Sequence, residues 1–179
     1  MTDDIKPPLK AVRDGYAPAP FFFEQSNAED GIRLVAWTGN LDQLRSLFRS
    51  IVESFSDNLE LLFKTDTDSE DGQWTRFHGS VPSWKFKQAI STFDELIFRD
   101  GGSVLCVKDS RIGDYLALDQ NGIFFLYSNK PIYPSIFQAH GFDMRQNELI
   151  DEKPHWNVRP KNASEDGKKF IQELGLLRV

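Results

Sequence analysis

The chain has 179 residues, with 21 Lys plus Arg against 27 Asp plus Glu, a formal charge of -6 at pH 7. That balance argues against nucleic acid as the main partner, because duplex binding needs cations to displace condensed counterions. Apolar residues at 40% and charged residues at 27% fit neither disorder nor a membrane class, and the single cysteine removes any intrachain disulfide or cysteine-rich zinc site.

Residues 1–20 carry Pro7, Pro8, Pro18 and Pro20 with little periodicity and read as an extended arm, leaving 21–179 as a single α+β domain. The start, Met1-Thr2-Asp3-Asp4, is acidic where a secretory signal is basic. The apolar run Ile123 to Tyr127 is far short of a bilayer span. A cytoplasmic protein without membrane contact is expected. Phe21, Phe22 and Phe23 cannot all face one side of a strand, since side chains alternate. A strand buried on both faces is favoured over an exposed anchor, because exposed aromatic clusters cost solubility.

Ile32 to Trp37 is β-rich and stops at Thr38-Gly39. Asn40 then suits a helix N-cap, with Gln43 placed to return the bond in a capping box. From there Leu41, Leu44, Phe48, Ile51 and Phe55 form one helical stripe. Leu59, Leu61 and Phe63 alternate as a strand, the polar stretch 65–72 turns, and Trp74, Arg76 and His78 alternate on the way back. Pro82-Ser83 opens a second helix running on through Phe86, Ile90, Phe93 and Ile97. Val104 to Val107 reads as a strand. Tyr115–Leu118 and Ile123–Tyr127 pair across Asn121-Gly122, a strong hairpin signal. Residues 133–139 suit a short helix closed by Gly141, 143–163 a loop, and 164–174 a final helix.

The order β-α-β-β-α-β predicts a ferredoxin-like split βαβ antiparallel sheet with two helices on one face. An appended β-hairpin and C-terminal helices complete it. Residues 114–128 resemble the strand-turn-strand hairpin of toxin-neutralising immunity domains.

The densest polar feature is Asp66, Asp68, Glu70 and Asp71. As a calcium loop counted from Asp66 it puts Asp71 where glycine belongs and Phe77 where the closing glutamate belongs, so no metal is assigned. With Trp74 these residues form the candidate binding site, a solvated acidic surface suited to a basic protein partner. His78, His140 and His155 lack the spacing that puts two ligands on one helix face. Cys106 lies between Leu105 and Val107 and reads as core. Gly101-Gly102-Ser103 follows a helix and precedes a strand, the reverse of a phosphate loop, so no cofactor is expected. The leading expectation is a non-catalytic cytoplasmic binding protein, of inhibitor or immunity type, that docks a basic partner. The alternative is a small enzyme with a site around His78 and a carboxylate. Close approach of His78 to a carboxylate or another histidine within one pocket favours the enzyme, and a flat acidic face without such a pocket favours the binder.

Overall fold

The computed structural model describes residues 11–13, 19–27, 31–66, 73–146 and 155–179. A short ribbon pairs β1 (Ala11–Arg13) with β10 (His155–Asn157) in antiparallel fashion. The other strands are β2 (Phe21–Asn27), β3 (Gly31–Trp37), β4 (Asn58–Thr65), β5 (Thr75–Pro82) and β6 (Ser103–Asp109). They continue with β7 (Tyr115–Leu118), β8 (Phe124–Tyr127), β9 (Asp143–Met144) and β11 (Leu177–Arg178). Among the described residues these nine make one sheet in the order β11-β5-β4-β6-β7-β8-β3-β2-β9. Every neighbouring pair is antiparallel except β2 with β9.

This order overturns the ferredoxin-like expectation. β4 is flanked by β5 and β6, and the β7–β8 hairpin lies inside the sheet between β6 and β3 rather than on an edge. β2, which carries Phe21–Phe23 just past the expected arm, adds a further strand beside β3. Counting the antiparallel steps, β3 and β4 run parallel with three strands between them. Helix α1 (Leu41–Glu53) makes that crossing, and its length lets it span the middle of the sheet. A split βαβ leaves room for only one strand inside such a crossing.

The local elements follow from the residues that build them. Asn40 caps α1 by accepting from the backbone N–H of Asp42 at 3.0 Å and of Gln43 at 3.2 Å. The return half of the capping box is absent: the Asn40 N–H donates to Thr38 Oγ1, and the Gln43 side chain accepts from Thr38 Oγ1 instead. The second expected helix breaks at Phe93 into α2 (Ser83–Thr92) and α3 (Asp94–Arg99), which lets the Phe93 ring meet Phe170 with centroids 5.5 Å apart. Helix α4 (Tyr133–Ala139) ends before Gly141, whose φ is 81°. Helix α5 (Ala163–Leu174) ends at Gly175 in the left-handed region. The expected 143–163 loop contains β9 and β10.

Among the described residues one main core joins side chains from all five helices to the inward residues of the sheet, so these helices share one face. Leu44, Phe48, Ile51, Phe86, Ile90 and Phe93 are all buried in it. Phe22 points into this core against Phe137 at 5.1 Å, while Phe21 and Phe23 point the other way into a second cluster with Val35, Trp37 and Ile123. The aromatic triplet is therefore buried on both faces, as the alternation requires.

Candidate functional site

Among the described residues no helix packs on the face of the sheet opposite the main core, and that helix-free face carries the site. Alternation sends Leu59, Leu61 and Phe63 of β4 into the core and Glu60, Leu62 and Lys64 outward. Registers then align the outward residues in rows across strands. One row runs Leu177, His78, Leu62, Cys106, Ala117, Phe125, Val35 and Phe23. Beside it, Ser80, Glu60, Lys108, Tyr115, Tyr127 and Arg33 form a second row. Arg76, Lys64 and Val104 form a third.

The two ends of this face differ. At the β2–β3 end, Phe21, Phe23, Val35 and Trp37 are buried. At the β4–β6 end, Arg76, His78, Ser80 and Lys108 are exposed, while Leu62, Val104 and Cys106 are half-buried. Between the ends, Tyr115 and Tyr127 stack with centroids 4.6 Å apart. Arg33 closes the stack: its Nη1 donates to the Tyr127 hydroxyl at 3.1 Å, its Nη2 donates to Gln25, and its guanidinium lies 5.5 Å from the Phe125 ring centroid. The Tyr115 hydroxyl is held well above the ordinary phenol range, by burial first and then by Cys106 and Tyr127 beside it. It stays protonated at neutral pH and supplies no base.

Charge is distributed unevenly. The outward positions of β3 to β6 carry Arg33, Lys64, Arg76 and Lys108 against one carboxylate, Glu60. Lys64 and Arg76 are direct cross-strand partners, a like-charge placement that weakens a sheet. Among the described residues Lys64, Arg76 and Lys108 have no ion pair. Glu60 stands opposite Lys108 but turns to His78, with Nε2 and Oε2 at 3.2 Å.

The structure thus pairs His78 with a carboxylate on an exposed part of the sheet. The two side chains are 49% and 36% exposed. Three cavities lined by described residues lie elsewhere, one of about 160 Å³ between α1 and α2, one of about 510 Å³ between the end of α2 and α5, and one of about 260 Å³ lined by Ile32, Leu34, Asn129 and Pro131. His140 closes α4 on the helix side, where its Nδ1 meets Ser46 Oγ at 3.0 Å, so it does not share the face of His78. The backbone of His155 lies in β10.

Of the acidic cluster, Asp68, Glu70 and Asp71 lie outside the described residues. Asp66 is held within the chain: its Oδ1 is 2.6 Å from Arg159 Nη2, and its N–H donates to the Gly102 carbonyl. Trp74 is half-buried just ahead of β5. Cys106 corrects the core expectation, since it faces outward while Leu105 and Val107 face in. An apolar run on both faces hides which alternate residues point to the helices. Lys64, Arg76, Lys108 and Leu62 were missed because their grouping depends on cross-strand register, which no local pattern encodes.

A second polar cluster sits where β6, β7 and α4 meet. The Tyr133 hydroxyl donates to buried Asp114 at 2.8 Å, and Lys130 Nζ lies 3.0 Å from the same carboxylate oxygen. Burial first, and the neighbouring Asp114 with it, push the Tyr133 hydroxyl up to about 12, although Ser54 opposes. Tyr133 is itself buried and its hydroxyl is bonded, so the cluster anchors α4 to the sheet.

No family model, no curated protein and no solved structure matches this chain.

Proposed function

We propose that this is a non-catalytic binding protein whose docking surface is the β4–β6 end of the helix-free face. One observation carries the proposal. The outward positions there hold Leu62, Val104 and Cys106, with the 73%-exposed Leu177 beside them. The solvated face of an antiparallel sheet ordinarily carries polar residues at these positions. Apolar surface rimmed by charge on a sheet face is the composition of an interaction surface. His78 and Glu60 contribute polar contacts within this rim. Their exposure gives no enclosure of the kind that general acid–base chemistry uses.

The test attaches a photocrosslinker to Cys106, the one cysteine of the chain, in an extract of the native cells. A matched control carries it at Ser91→Cys in a Cys106→Ser background, on the exposed side of α2. A discrete protein adduct from Cys106 that the Leu62→Arg variant loses and the Ser91 control never forms is expected. Equal adducts from both positions, or an adduct indifferent to Leu62→Arg, would overturn the assignment.

A further inference from the structure

We propose that the occupant of this face is an extended acidic segment of a partner protein, with two carboxylates flanking one apolar side chain; the inference rests on the docking face assigned above. Lys64 and Arg76 stand directly opposite one another at one end of the face, and Lys108 stands at the other. Directly opposed side chains on neighbouring strands leave their β-carbons about 5 Å apart, so one carboxylate reaches both Lys64 and Arg76. Along β6, Lys108 is displaced four residues from Val104, the cross-strand partner of Lys64, which corresponds to about 13 Å of strand at roughly 3.3 Å per residue. Leu62 and Cys106 lie between the two cationic ends.

An extended chain laid along these strands turns alternate side chains to the surface. It therefore meets cation, apolar row and cation with residues at i, i+2 and i+4. The complementary pattern is acid, apolar, acid. The like-charge placement of Lys64 against Arg76 weakens the free sheet, and a bound carboxylate relieves it. Glu60 leaves Lys108 to an incoming anion because its own carboxylate faces His78. Between the cations the middle row carries Leu62 and Cys106, with the His78 imidazole on the neighbouring strand, and Tyr115 and Tyr127 are stacked on each other. The His78 ring is engaged by Glu60, and among the described residues no other ring stands between the cations, so an acidic polypeptide fits the face better than a single-stranded nucleic acid.

Fluorescence anisotropy on the full chain tests the proposal with three labelled probes. One is a peptide containing Glu-Ser-Leu-Ser-Glu, one has the same residues as Glu-Glu-Leu-Ser-Ser, and one is an oligothymidylate. The patterned peptide is expected to bind best. Its affinity should fall by at least about tenfold in Lys64→Gln/Arg76→Gln and fall steeply with salt, with little change in Lys85→Gln on α2. Circular dichroism confirms that each variant is folded. Equal binding of the two peptides, or no loss in the double variant, would overturn the proposal. Tighter binding of the oligothymidylate, lost in the same variant, would overturn it in favour of nucleic acid. If the peptides fail while the Cys106 crosslink to a protein persists and ignores Lys64→Gln/Arg76→Gln, the acidic occupant falls and the docking face stands. If the crosslink also fails, both fall.

Discussion

Asp109 shows how one side chain can organise a chain reversal. It ends β6, is 1% exposed, and accepts from the Ser56 N–H at 2.7 Å, Ser56 Oγ at 2.6 Å, the Arg111 N–H at 2.8 Å and the Ile112 N–H at 3.2 Å. Burial alone would raise its pKa. The bonds from Ser56, Arg111 and Ile112 outweigh burial and hold the carboxyl below its usual range. Because the folded value is depressed, its stabilisation is present above the unfolded value near ~4 and is lost as pH falls through the folded value. Asp109→Asn should cost about 1–3 kcal/mol in urea unfolding at neutral pH and flatten the acid limb of the stability profile. An unchanged acid limb would show that another group sets it. A second residue-scale device joins the C-terminal third to the sheet. Arg159 bridges Asp66 and the fully buried Asp100, and a methyl group on Gly102 would meet that guanidinium. Arg159→Ala and Gly102→Ala should each destabilise by about 1–3 kcal/mol, and the double variant by clearly less than their sum, because both break the same bridge. Strict additivity would separate the two residues.

At the scale of elements, helix α1 and the β4–β5 pair make contrasting cases. The stripe Leu44, Phe48 and Ile51 was legible because a helical period and a good N-cap agree, and Phe48 ends fully buried against Phe86, Phe98 and Phe124. Phe48→Ala should cost about 3–5 kcal/mol by chemical denaturation; a loss below ~1 kcal/mol would mean that the site collapses to fill the space. The β4–β5 pair was legible as two strands, and His78 as a strand residue, from alternation alone. Its register was not, so neither the His78–Glu60 contact nor the Lys64–Arg76 opposition could be read. Lys64→Thr should raise stability by about 0.2–1 kcal/mol at low ionic strength, with the gain shrinking as salt is added. A loss of stability would show that Lys64 has a compensating interaction and would remove the argument from repulsion. Stabilisation together with weaker peptide binding is the trade expected of a residue kept for docking.

At the scale of the molecule, short-range patterns name the strands but leave their order open. The β7–β8 hairpin reads the same whether it sits on an edge or, as here, between β6 and β3. The choice rests on which apolar edges meet across long sequence separations, and that is why the ferredoxin-like expectation failed although its main strands and first helix survived and its second helix only broke at Phe93. The order has a direct functional consequence. It puts all five helices on one face and leaves Leu62, Val104 and Cys106 on the other. Cys106 is the only thiol of the chain and stands in the middle of the proposed docking row, so it reports on that face without any substitution. Native-state labelling with a small disulfide reagent, timed against the unfolding rate measured under the same conditions, reads it directly. If the face is open, Cys106 reacts much faster than the protein unfolds, and the patterned acidic peptide slows the reaction. Labelling no faster than global unfolding, with or without the peptide, would place Cys106 in a closed interior and remove the docking surface.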